Sequence, residues 1–267
     1  MTSVLQLVKA QALGNDFLLV DASAVAGFPD LSSLARRVCD RHHGVGADGL
    51  MLLSPTSDGA DSRLFNADGS AAEVSGNGVR SAAGWLAHER ALPVGGRLVV
   101  GTVAGPKRLD LVSKVGPRYT FRAEMGPPTD LRTETLSVEG ETVSAVVLRV
   151  GNPQCVVLGE VTGERLHRIG RGLATHSFFP EGTNVELAHV DSPDHVRILI
   201  WERGVGPTEA SGTGACASAV AAAFAGGAGR RVNVESPGGT QLVEWTSETI
   251  YLTGWAEVVG RVEFWLD

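Results

Sequence analysis

Residues 73–83 read EVSGNGVRSAA, and residues 209–219 read EASGTGACASA. Set 136 positions apart, the two stretches match at Glu73/Glu209, Ser75/Ser211, Gly76/Gly212 and Gly78/Gly214. That offset is about half of the 267-residue chain. Gly46 and Gly182 fall in the same register, and the pairs Gly14-Asn15 and Gly151-Asn152 lie one residue from it. A repeat of this period means two homologous halves. The expected division is 1–125 and 126–267, at the turn-forming stretch GPRYTFRAEMGPPTD.

Outward from the repeats the pattern is mostly strand. Apolar, β-branched runs bounded by Gly, Pro or Asp include Phe17–Asp21, Leu50–Leu53, Arg97–Gly101, Val143–Val150, Val156–Leu158, Val196–Ile200 and Val232–Glu235. Three segments read as helix: Leu31–His42 after Asp30, and the Ala-rich Asn77–Ala91 and Thr213–Ala225 behind the S-G-x-G elements. Strands and helices do not alternate, so the expected class is α+β, with curved, mostly antiparallel sheet wrapped around one central helix in each half.

Composition narrows the function. Apolar residues are 43% and charged residues 20%, as in ordinary globular proteins, so the chain has material for a core. Net charge is -7 with no basic run, which argues against nucleic acid as a partner. No window reads as a membrane span or signal peptide. Three cysteines, Cys39, Cys155 and Cys216, make neither an even framework nor a paired metal spacing, and the expected compartment is the reducing cytoplasm. An uncharged edge strand would permit a homodimer.

The S-G-x-G elements carry the first chemical signal. The opening amides of a helix lack internal partners, and the helix dipole favours an anion there. Glycine lets a ligand approach that backbone. Read singly, Ser75 and Ser211 are N-caps on turns; in matching places, the two elements read as a grip for one anionic group. Asn15, Asn66, Asn77, Asn152 and Asn184 sit in turn-like contexts and together could serve a small zwitterion. Arg203, in WERGVGPTE, suits a carboxylate clamp. His42 and His43 are adjacent and so a poor metal pair; one is expected to pack or cap and the other to be solvated. No H-E-x-x-H, C-x-x-C or Walker pattern is present.

The blocks LGNDFLLVD, RHHGVGADG, FNADGSAAEVSGNGVR, VGNPQCV, PEGTNVE and WERGVGPTEASGTGACASA, in that order, resemble the diaminopimelate epimerase family. The resemblance implies two pseudo-symmetric halves with the active site between them. It also implies chemistry without pyridoxal phosphate or metal, on a diamino diacid of lysine and peptidoglycan biosynthesis. It assigns Asn15, Asn66, Asn152, Asn184 and Arg203 to the distal, non-reacting end of the substrate. The amides of Gly76, Asn77, Gly212 and Thr213 are assigned to the carboxylate at the reacting carbon, and Glu202 to an acid–base auxiliary role.

The family's two catalytic cysteines correspond here to Ser75 and Ser211, and its auxiliary histidine to Gln154. A thiol near pKa ~8.5 is lowered further at a helix N-terminus, whereas a serine hydroxyl needs a strong partner before it acts as a base. Glu202 could serve Ser211; for Ser75 the family pattern offers only the amide Gln154. Three readings stand open: a slow or altered diaminopimelate epimerase, an isomerase or lyase with one-sided proton chemistry on a related amino acid, and a silent amino-acid binder.

Overall fold

The structure is a computed structural model that describes residues 3–72 and 75–266. Glu73 of the matched pair lies outside them. The chain forms two compact units, one running to Ala123 and resuming at Gly254, the other running from Glu124 to Thr253.

The first unit opens with β1 (Ser3–Ala12), β2 (Asn15–Asp21), α1 (Leu31–Cys39), β3 (Gly49–Pro55) and β4 (Gly59–Asn66). It continues through β5 (Ala71–Ala72), α2 (Gly76–Glu89), β6 (Arg97–Gly101), β7 (Lys107–Val115) and β8 (Arg118–Gly126). The chain then enters β9 (Thr129–Val138), β10 (Glu141–Val150), β11 (Asn152–Leu158), α3 (Gly163–Ala174) and β12 (Asn184–Ser192). Next come β13 (His195–Glu202), β14 (Gly206–Thr208), α4 (Gly212–Ala225), β15 (Arg231–Ser236), β16 (Gly239–Trp245) and β17 (Ile250–Leu266).

The pairing repeats with the sequence. β1–β2 and β10–β11 are antiparallel hairpins, turning at Gly14 (φ 85°) and Gly151 (φ 75°), a conformation glycine adopts without cost. β2–β3 and β11–β12 are parallel, and so are β4–β6 and β13–β15. Most other pairs are antiparallel, as expected of this α+β class.

Each unit wraps its sheet around one helix. α2 buries Val79, Ala82, Ala83, Leu86 and Ala87 among Phe17, Met51, Leu98, Leu109 and Phe121. α4 is buried from Gly214 to Ala222 against Val146, Val156, Ile198, Ile200, Val232 and Leu252. A helix covered on all sides needs no polar face. Its run of alanines keeps the sheet close.

Four expectations are corrected. A fourth helix, α3, lies where no helix was expected. Thr162 caps it, and Leu166, Ile169 and Leu173 bury at helical spacing. Its glycines weaken the local signal, and Gly170 lets the helix pack closely on Trp201, where a Cβ would stand 3.1 Å from the ring. α1 ends at Cys39 rather than His42, since Asp40 Oδ1 accepts the amides of both His42 and His43 at 2.7 Å. Both histidines are exposed, so neither packs or caps. The second half was also expected to run to residue 267; instead β17 leaves β16 and pairs with β1 from Gln11↔Glu257 to Ser3↔Leu266, within the first unit.

Candidate active site

In the first unit, Ser75 is the N-cap of α2: its backbone is extended and its hydroxyl accepts from the Gly78 amide at 3.1 Å. No helix carbonyl precedes the amides of Gly76 and Asn77. Gly76 is exposed, with open space where a side chain would be. Asn77 is buried, and its Oδ1 accepts from the Arg80 guanidinium. Behind the turn, a Cβ on Gly78 would meet Met51 Cε at 2.8 Å. The recess beside Ser75 is lined by Met51, Leu64, Val79 and Val103 among others and holds about 10 Å³, one water at most.

Asn15 and Asn66 stand at one end of this sheet, since Gly49 pairs with both Phe17 and Asn66. Asn15 Nδ2 donates to Asp48 Oδ2 at 2.6 Å, and Asn66 Nδ2 to Ser70 Oγ at 2.9 Å. Asp48 is itself fixed by Arg41, which also donates to both oxygens of Asp16. Burial pushes the Asp16 carboxyl up, but hydrogen bonds from Arg41 and Lys9 and their charges outweigh it and hold it at about 2. Asn15 is thus seated by a preorganised charge network.

In the second unit, Ser211 caps α4 in the same way, accepting from the Gly214 amide at 3.2 Å. It is 5% exposed, and Gln241 Nε2 reaches its carbonyl at 3.5 Å. Thr213 Oγ1 stands 3.5 Å from Ser211 Oγ, and Gly212 is buried. Here the hydroxyl also has the Glu202 carboxyl as a neighbour. Burial pushes Glu202 up, and the neighbouring Ser211 hydroxyl partly offsets that. A carboxyl with raised proton affinity beside a serine hydroxyl can serve as its general base.

Sheet register places the remaining residues. Gln154 pairs with Asn184, and Val156 with Glu186, across β11 and β12. Paired residues share a face, and faces alternate along a strand. Asn152, Gln154, Asn184 and Glu186 therefore share the α4 side. Asn152 Oδ1 accepts from Gln154 Nε2 at 2.7 Å, and Asn184 Oδ1 accepts from the Arg203 amide at 2.9 Å. Arg203 is exposed, with one guanidinium nitrogen donating to the Glu181 carbonyl at 2.6 Å. Gln154 is fully buried, and its Oε1 has no partner among the described residues.

Sequence reasoning passed over Glu186, Gln241 and the Asp16–Asp48 network. The available signal for Glu186 was a carboxylate on the inward rhythm of the apolar strand NVELA. The cysteines offer no substitute base. All three are buried and outside any disulfide; burial pushes Cys39 up to about 12 and Cys155 higher still. Among the described residues no cluster of three or more His, Cys, Asp or Glu is placed to hold a metal, and no helix is long and apolar enough to cross a membrane.

Comparison with known proteins follows this geometry. The chain matches the profile "Diaminopimelate epimerase" over residues 7–130 and 146–259. It is 42% identical to the diaminopimelate epimerase of Desulforudis audaxviator, covering 96% of this chain and 97% of that one. It is 39% identical to that of Moorella thermoacetica, covering 98% and 100%. In fold it is similar to a hydroxyproline epimerase from Agrobacterium vitis, solved with bound trans-4-hydroxy-L-proline (TM-score 0.67, 17% identity, 99% and 92% covered). It is also similar to a PhzF-family phenazine biosynthesis protein from Bacillus anthracis (TM-score 0.70, 15% identity, 99% and 100% covered).

Proposed function

The chain belongs to the diaminopimelate epimerase family, and from that premise we propose that it is a cofactor-independent isomerase interconverting LL- and meso-diaminopimelate by proton exchange at the α-carbon. That places it in lysine and peptidoglycan biosynthesis, and its cysteines, none of them in a disulfide, suit the cytoplasm. The observation that carries the chemistry is the Glu202 carboxyl, raised by burial, beside the Ser211 hydroxyl at the opening turn of α4.

Ser211 removes or returns the α-proton with Glu202 as its base. Ser75, behind whose turn Gly78 packs on Met51, is the slow partner, and Gln154 orients without moving a proton. Inversion needs a proton taken from one face and delivered to the other, so the weaker serine sets the rate. The amides of Gly76, Asn77, Gly212 and Thr213 hold the carboxylate at the reacting carbon. Asn15, Asn66, Asn152, Asn184 and Arg203 hold the distal amino-acid end; asparagines and an arginine provide the donors and acceptors that a zwitterion requires. The substrate is a small diamino diacid, and neither nucleic acid nor membrane is proposed as a partner.

Proton NMR of the chain with LL-diaminopimelate in deuterium oxide tests the reading. Slow loss of the α-proton signal with growth of the meso form is expected. Exchange with retained configuration, or an unsaturated product, would favour one-sided chemistry; affinity without exchange would leave a binder. Calorimetric titration of Arg203→Ala tests the distal clamp. Losing a charged, directional contact weakens affinity about 10- to 100-fold, and unchanged affinity overturns the assignment.

A further inference from the structure

Glu186, on β12, is fully buried, and neither carboxyl oxygen has a hydrogen-bond partner among the described residues. It lies where the α4 backbone comes closest to the sheet: a Cβ on Gly214 would stand 2.6 Å from Glu186 Oε1. Gly214 is the residue whose amide Ser211 accepts. On the next strand Glu186 pairs with Ile200, two residues before Glu202, so both carboxyls lie on the face toward α4. A lone ionised carboxylate in such a place is costly, and the group neutralises instead.

We propose that Glu186 is a positioning residue for the Ser211–Glu202 pair: a neutral carboxylic acid lodged beneath the first turn of α4, which leaves Glu202 as the single anion and fixes the height of the amides beside Ser211. This rests on the reading of Ser211 and Glu202 as the proton-handling pair. Burial, then the charge of Glu202, both push the Glu186 carboxyl upward. On the α4 face beside it stand the uncharged amide of Gln154 on β11 and the Ser211 hydroxyl, whose oxygen lies 3.2 Å from the same Gly214 Cβ position; the Cys155 thiol, one residue along β11, points to the opposite face of the sheet.

The arrangement divides labour between two acids. Glu202, beside Ser211 and raised less than Glu186, ionises first and serves as base. Glu186 keeps its proton, so no second buried charge competes. Ionising Glu186 at high pH would set two carboxylates side by side beneath the turn, disfavour the Glu202 anion and displace the turn.

The test is a carbon-13 titration of side-chain carboxyls in the full chain, with Glu186→Gln and Glu202→Gln alongside. Glu186 is expected to remain protonated at pH 7 and to titrate above it, and Glu202→Gln is expected to lower its midpoint. The proton linkage has a definite sign. The folded chain holds a proton that the unfolded chain releases above the ordinary value of 4.5, so wild type loses stability against Glu186→Gln as pH rises from there toward the folded midpoint, about tenfold in the folding constant per pH unit. Below 4.5 the two melt alike. Where exchange on diaminopimelate is measurable, wild type shows an alkaline loss of rate that Glu186→Gln lacks. A Glu186 ionised at pH 7, or a midpoint indifferent to Glu202→Gln, overturns the proposal even if the chain is an active epimerase. A chain that exchanges no α-hydrogen overturns the functional reading and leaves the titration to decide the role of Glu186.

Discussion

The two serine turns share a backbone and differ in what lies behind them. Ser75 and Ser211 cap helices with the same bond, to Gly78 and Gly214, and each of those glycines makes room for one buried side chain. In the first unit that side chain is Met51; in the second it is Glu186. The ladders extend the correspondence. Phe17 pairs with Gly49 where Gln154 pairs with Asn184, and Leu64 faces Met51 where Ile200 faces Glu186. Continued to the strand ends, Asn66 matches Glu202. Duplication has preserved the cap and the close packing, while the ability to take up a proton is concentrated in the second unit.

The sharpest way to break this comparison is Glu202→Gln. Removing the carboxylate beside the Ser211 cap is expected to slow α-deuterium exchange ~10²–10⁴-fold, measured by NMR at saturating diaminopimelate. An unchanged rate would place the base elsewhere.

Asp16→Asn addresses the other side. Asp16 is held at about 2 against an ordinary 3.8, so its contribution is present above 3.8 and lost as pH falls through about 2. The variant should lose about 2 kcal/mol at pH 7, seen as a melting temperature several degrees lower. That gap should close in acid; a gap that persists at pH 2 would mean that the Arg41 and Lys9 contacts act through packing.

The smallest effect separates the caps themselves. Ser75→Ala loses one cap bond, about 1 kcal/mol. Ser211→Ala loses the cap and leaves a half-buried carboxylate short of a donor, so its cost in chemical denaturation should be visibly larger. Equal costs would mean that the Glu202 bond adds nothing to the folded state.

Much of this was legible in the chain. The S-G-x-G pair located both central helices, and the Gly-Asn pairs marked both hairpin turns, because each depends on a short motif with local geometry. α3 was hidden by Gly163, Gly170 and Gly172, although its counterpart α1 called for it: the parallel pair β11–β12 requires a crossover just as β2–β3 does. The return of β17 to β1 is a pairing across nearly the whole chain, and no local propensity encodes it. Glu186 was missed because a single glutamate in a strand reads as solvated, and only the approach of Gly214 shows otherwise. Gln154 was noticed by its departure from the family pattern, but its bond to Asn152 follows from register.

The central claim is that proton handling is unequal at the two serines. The most direct measurement compares α-proton loss from LL-diaminopimelate in deuterium oxide for Ser75→Cys and Ser211→Cys, each made alone. A thiol introduced at Ser75 gives an acidic group to the turn that packs on Met51 and should speed exchange ~10²–10⁴-fold, whereas Ser211→Cys replaces a hydroxyl already beside Glu202 and should gain far less. Equal gains, or a larger gain at Ser211, would contradict the account.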